Sequence, residues 1–219
     1  MVASQVHLVR HGEVYNPDGI LYGRIPGYHL SELGRRMAAA AAESLTGSGA
    51  MKDRRPVTRL IASPLQRAQE SAEPWAAAFG LPIETDERLI EPHNRFEGKK
   101  FEFGPQVLTK PETWPWIINP FRPSWGEAYA SIAKRMLAAI EDAWRSTPEG
   151  DVVLVSHQLP ICMVQRFLDG RHLFHDPRNR RCSLSSITTL ARSGESFTEV
   201  DYQDPAAALA AQAIDRGAV

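Results

Sequence analysis

The chain has 219 residues, 43% of them hydrophobic and 23% charged, with a formal net charge of −1. That length and composition suit one domain built around one core, and the near-neutral balance excludes a global field that would draw nucleic acid or an anionic membrane surface. Any anion site must therefore be a local arrangement.

Residues 5–10 (QVHLVR) read as a short buried strand ending at a Gly- and Pro-rich loop. SELGRRMAAAAAESL follows, with Ser31 as N-cap and Leu33, Met37, Ala41 and Leu45 recurring every four residues, the signature of a helix face. VTRLIAS (57–63) is a second buried strand. It runs into Ser63-Pro64, expected to serve as N-cap and first helical residue of a helix that turns Leu65, Ala68, Ala72, Trp75 and Phe79 inward and stops at Gly80. A short strand near Ile83 leads into ERLIEPHNRFEG. Residues 99–126, rich in proline and tryptophan and without a steady period, are expected to fold as a lid-like excursion. A long helix then carries Trp125, Tyr129, Ile132, Met136, Ile140 and Trp144 on one face, a stripe that suits a homodimer as well as a core. DVVLVS (151–156) is the third buried strand, followed by a helix from Leu159 to Leu168 that Gly170 ends. Two strands joined by a Ser-Gly turn come next, and the Ala-rich tail (205–219) is expected to be a weak helix or frayed.

Strands alternating with helices predict a three-layer α/β/α domain over residues 1–204, with a mostly parallel central sheet, one antiparallel strand and helices on both faces. The two cysteines, Cys162 and Cys182, form no CxxC and have no paired histidine spacing beside them, which argues against a disulfide scaffold or a zinc site and favours a reducing cytoplasm. No export signal is expected at the N-terminus, and no stretch approaches the roughly 20 apolar residues of a membrane span.

The three buried strands end alike, in Arg10-His11-Gly12, in Ser63-Pro64 with Arg67 one helical turn on, and in Ser156-His157. Parallel strands bring these ends to one edge of the sheet, where open α/β folds bind ligands. Two arginines, two histidines and two helix N-termini suit a phosphoryl group, because guanidinium forks, amide N–H groups and imidazoles all donate to it. A metal cation would be repelled by the arginines, so no metal or cofactor is expected; His7 and His11 as a two-histidine metal pair are disfavoured by Arg10 between them. Each of these residues alone reads as easily as a satisfied core histidine or a strand-end ion pair; it is their coincidence at three strand ends that points to function.

"LVRHGEVYN" with "LSELGRR" behind it, "IASPLQRAQESA", "LIEPHNRFEG" and "VVLVSHQLPI" occur in this order, and "PSWGEAY" opens the long helix. Together they resemble the histidine phosphatase superfamily, also called the phosphoglycerate mutase-like family. The resemblance implies that His11 is a nucleophile forming a phosphohistidine, that Arg10, Arg67 and a protonated His157 stabilise the transferred group, and that Glu91 is the proton donor, with Asp86, Glu87 and Glu97 as nearby rivals. It places Gly12 where the backbone approaches the phosphate closely, and Asn16, Arg24 and Gln158 at the substrate's edge. Gln158 stands where the family often has glycine, and HNRFEG is shorter than the usual stretch after the acid. The implied activity is metal-independent hydrolysis of a small-molecule phosphoester. A phosphoglycerate mutase-type transfer and a non-catalytic phospho-ligand module are the alternatives.

Overall fold

In the computed structural model, residues 2–46, 56–100 and 126–215 are described. The excursion expected over 99–126 lies almost wholly outside them, as does Trp125.

The apolar runs form strands β1 (Gln5–Arg10), β2 (Val57–Ala62), β3 (Ile83–Thr85), β4 (Asp151–Ser156), β5 (Ile187–Ser193) and β6 (Ser196–Gln203), in one sheet of order β3-β2-β4-β1-β5-β6. β1, β2, β3 and β4 pair in parallel, whereas β5 runs antiparallel to both of its neighbours. The expected single antiparallel strand is therefore β5.

Helices cover both faces. On one side α3 (Tyr129–Ser146) and α4 (Gln158–Leu168) pack Ile132, Met136, Ile140, Ile161 and Met163 against Val6, Leu8, Val152 and Leu154. On the other, α1 (Glu32–Thr46) and α2 (Gln66–Phe79) bring Ala41, Leu45, Ala72 and Trp75 onto Val9, Leu60, Val153 and Val155. The central strands thus alternate their side chains between two apolar layers, as strands buried on both faces must. Tyr129 is buried, and Trp144 packs edge-on to Phe197 at 5.9 Å, so the aromatic stripe of α3 is used within the chain's own core.

Two local expectations need correction. α1 begins as read, with the Gly34 N–H donating to the Ser31 hydroxyl at 2.9 Å. α2, however, starts at Gln66 rather than at Pro64, and no side chain caps it. Ser63 lies outside the helix, where its hydroxyl accepts the Leu65 N–H at 3.4 Å and meets the His157 ring at 2.8 Å. The tail after Pro205 forms one turn, α5 (Ala207–Ala210), with Ala206 and Leu209 set against Met37 and Leu184.

Candidate active site

The parallel register aligns the strand ends. Arg10 pairs with Ser156 across β1 and β4, the His11 N–H donates to the Ser156 carbonyl at 3.1 Å, and the Ser63 N–H donates to Val155 at 2.9 Å. Arg67 projects from the first turn of α2. Its Nη2 donates to the Gly23 carbonyl at 2.8 Å, and its guanidinium lies 4.7 Å from the centre of the Tyr22 ring. Glu91 follows the single 3-10 turn Glu87–Leu89, which the Ser156 hydroxyl ties to β4 by donating to the Leu89 carbonyl at 2.7 Å. Strand order and one serine therefore place Glu91 over the ends of β1 and β4.

The result is a small buried cluster. His11, Glu91 and His157 each present an atom within 4.8 Å of the other two, and the two imidazoles meet edge to face at 5.1 Å. Arg10, His11 and His157 are wholly buried, and Arg67 and Glu91 nearly so. The cluster is also unsatisfied. Of ten buried side-chain nitrogen and oxygen atoms without a hydrogen-bond partner among the described residues, six belong to these five residues: Arg10 Nε, His11 Nε2, Arg67 Nε, His157 Nδ1 and both carboxyl oxygens of Glu91. Buried polar groups normally have partners, so such a concentration marks a place built to receive a polar ligand.

His11 Nδ1 lies 2.8 Å from the Gly12 carbonyl. A carbonyl only accepts, so Nδ1 carries the hydrogen and the lone pair stands on the unpartnered Nε2. Burial, then the charges of Arg67 and Arg10, hold the His11 pKa well below its ordinary value and keep the ring neutral. His157 is held low in the same way, by burial first and then by Arg67, His11, Arg135 and Arg10. Without an anion beside it, a buried imidazole among guanidiniums is disfavoured as a cation; the protonated His157 implied by the resemblance belongs to the site with a phosphoryl group bound. Burial raises the Glu91 pKa against the opposing pull of Arg67 and Arg180, and its carboxyl faces the two rings. Two imidazoles and a carboxyl are also a plausible metal-ligand set, but Arg10 and Arg67 make the potential there positive and oppose a cation.

The other expected residues fall around this cluster. Arg24 Nε donates to the Glu91 carbonyl at 2.5 Å, fixing the acid's backbone rather than reaching its carboxyl. Asn16 closes its own loop, exchanging hydrogen bonds with the backbone of Ile20 at 2.9 and 3.0 Å. Gln158 accepts from Arg180 Nη1 at 3.2 Å. Of the rivals to Glu91, Asp86 is paired with Arg88, Glu87 is exposed, and Glu97 accepts from the Asn94 N–H at 2.9 Å. At Gly12 a Cβ would meet the Gly34 carbonyl oxygen at 2.3 Å, so the glycine is also what lets α1 approach this loop.

Three contributors escaped the sequence reading. Ser71, one turn beyond Arg67, accepts the Gly12 N–H at 3.1 Å and steadies the loop after His11. Arg180, from the segment after α4, adds a third guanidinium whose charge reaches Glu91. Asp215, in the tail, pairs with Arg10 at 2.5 Å. Ser71 lies inside the quoted IASPLQRAQESA segment and was within reach; nothing local marks the other two.

A model of the histidine phosphatase superfamily (branch 1) matches residues 6–205. The chain belongs to the histidine phosphatase superfamily. Among its relatives in this superfamily, the Mycobacterium tuberculosis protein Rv0525, described only as uncharacterized, is 48% identical over 204 residues, 93% of this chain and 98% of that one. A protein of Yersinia enterocolitica named probable phosphoglycerate mutase GpmB is 32% identical, covering 84% of each chain. Among solved structures, the mycobacterial glucosyl-3-phosphoglycerate phosphatase Rv2419c superposes with a TM-score of 0.66 at 25% identity, covering 91% of this chain and 96% of that one. A phosphoserine phosphatase of Entamoeba histolytica shares the histidine phosphatase fold at a TM-score of 0.73 and 19% identity, covering 92% and 97%.

Proposed function

We propose that this member of the superfamily is a metal-independent phosphomonoesterase that works through a phosphohistidine at His11, with Glu91 as proton donor. The observation that carries the proposal is the unpartnered Nε2 of His11, buried beside Arg10 and Arg67 and facing the Glu91 carboxyl, whose pKa burial raises.

In the first step the Nε2 lone pair attacks phosphorus as the ester P–O bond breaks, and Glu91 gives its proton to the leaving oxygen. The transferred group carries charge spread over three oxygens, and Arg10, Arg67 and His157 supply fixed donors to it. The arriving dianion also reverses the electrostatics at His157, whose ring then gains a reason to hold a second proton. In the second step Glu91, now a carboxylate, takes a proton from water as that water attacks phosphorus. The P–N bond breaks, and neutral His11 and reprotonated Glu91 are restored. Burial serves both steps by raising the carboxyl's pKa into a range where it can give and take a proton.

The test is hydrolysis of a generic aryl phosphate in excess chelator by the native chain, His11→Ala and Glu91→Ala. Chelator-resistant turnover that vanishes without His11 and drops without Glu91 supports the reading. Turnover that survives loss of His11 sinks it. A mutase reading is favoured by the likeness to the Yersinia protein; it predicts transfer of the phosphoryl group to a second hydroxyl faster than to water, which labelled phosphoester and product analysis distinguish.

A further inference from the structure

The C-terminal tail reaches the candidate site by a built path. Leu209 and Ala213 pack against Met37 and Leu184, the Ile214 N–H donates to Glu13 Oε1 at 2.6 Å, and the next residue, Asp215, meets Arg10. Glu13 is itself anchored, since its other carboxyl oxygen accepts from the Ser31 hydroxyl at the start of α1. The tail is thus seated on the same loop that carries His11.

The contact with Arg10 has a defined stereochemistry. Nη1 donates to Asp215 Oδ2 at 2.8 Å and to the Cys182 carbonyl at 2.7 Å, while Nη2 donates to Asp215 Oδ1 at 2.5 Å. A guanidinium has five N–H bonds in one plane. Three are accounted for here, and the two that remain, on Nε and the near side of Nη2, form its side-on fork. Nε is buried and unpartnered, one of the six such atoms in the cluster. Asp215 and Cys182 therefore hold the guanidinium by its far end and leave free the edge that binds phosphate in a bidentate manner. The pairing also offsets what burial alone would do to Arg10, with Asp215's charge and hydrogen bonds holding the group firmly protonated.

We infer that Asp215 is a positioning residue for Arg10, so that the docked C-terminal tail is part of the anion-binding machinery. The inference rests on reading Arg10 as a phosphate-binding group. A bare Arg10 could swing about its side-chain torsions; gripped at two nitrogens, it presents Nε and Nη2 at one height above the sheet. Asp215 touches no substrate in this scheme and acts only through Arg10.

Isothermal titration with inorganic phosphate, at a temperature where circular dichroism shows every variant folded, tests this beside kcat and KM for an aryl phosphate. Asp215→Ala is expected to weaken phosphate binding about tenfold and to raise KM more than it lowers kcat, as loss of a charge-assisted anchor should. Asp215→Glu should restore binding to within about threefold, and Asp215→Asn, which keeps one acceptor, should fall between. A purely structural tail would lower the melting temperature and leave phosphate affinity in the folded state unchanged, which overturns the inference. Tighter phosphate binding in Asp215→Ala also overturns it, because the carboxylate would then be a competitor for the anion. If the native chain binds phosphate but turns over nothing, the phosphatase reading fails while the titration still decides the role of Asp215. If the native chain binds no phosphate, both fall.

Discussion

Two buried histidines lie four residues apart, His7 within β1 and His11 just past its end, and their surroundings differ in kind. His7, near the start of the strand, has both ring nitrogens engaged, Nδ1 with the Thr189 hydroxyl at 2.9 Å and Nε2 with Asp151 at 3.4 Å. His11, just beyond its end, has one nitrogen fixed to a backbone carbonyl and the other without a partner, beside two guanidiniums and a carboxyl. Both rings are deep in the protein, so burial alone does not separate structure from chemistry; completeness of the hydrogen bonding does. At the amino end of the sheet the polar groups answer one another, and at the carboxyl end several have no hydrogen-bond partner among the described residues.

That contrast can be broken by mutation. The largest effect expected is in His11→Ala, which should cut aryl phosphate turnover by about 10⁶-fold, as loss of a nucleophile does. Glu91→Gln should cost about 10³-fold on an alkyl phosphate, and less on an aryl phosphate whose leaving group needs no proton. The pH profile sharpens this. Because burial raises the Glu91 pKa, native kcat/KM should fall as pH rises through that value and the acid ionises, and the Gln variant should lose that alkaline limb. Arg67→Ala should lower kcat/KM by about 10²-fold, the scale of removing one fixed donor to a developing charge. At the other end of β1, Asp151→Ala should destabilise the fold by about 1–3 kcal/mol, since it strips a partner from His7 and from the Gln5 N–H, and should leave kcat/KM within roughly twofold because its effects are confined to stability. Acid denaturation reads the carboxyl end directly. His11 and His157 are held low in the folded state, so the unfolded chain binds more protons below the ordinary histidine value of about 6.5, and stability is lost as pH falls through it. His11→Ala or His157→Ala should flatten that slope.

The sheet and the principal cluster could be read from the chain because each is encoded locally. QVHLVR, VTRLIA and DVVLVS are short apolar runs bounded by turn residues, and parallel pairing brings whatever follows them to one edge. Arg10, His11, Arg67 and His157 stand at or just beyond the ends of those runs, whereas Glu91, beyond the turn Glu87–Leu89, came from the resemblance alone. What was not legible depends on distant partners. Ser63 has the composition of an N-cap, but it stands outside α2, where its hydroxyl meets both the Leu65 N–H and the ring of His157, 94 residues later. The close contact of Gly12 with Gly34 is likewise made across two separate segments. Asp215 had no local signal at all: it lies 205 residues from Arg10, in an alanine-rich stretch whose pattern says only that helix is tolerated.

The contact between Gly12 and Gly34 closes off a route of evolutionary repair. The loop and the helix collide from either side, since a Cβ on Gly34 would meet the Glu13 carbonyl oxygen at 2.0 Å and one on Gly12 would meet the Gly34 oxygen at 2.3 Å. When a core side chain grows, a neighbour can usually shrink to compensate. Here the colliding atoms are main chain, so no side-chain change nearby gives the space back. A suppressor of a change at either glycine would have to shift α1 as a body, and with it the Ser31–Glu13 link and the tail fastened to it. Drift at these two positions is therefore a dead end, whatever substrate the surrounding loops come to prefer.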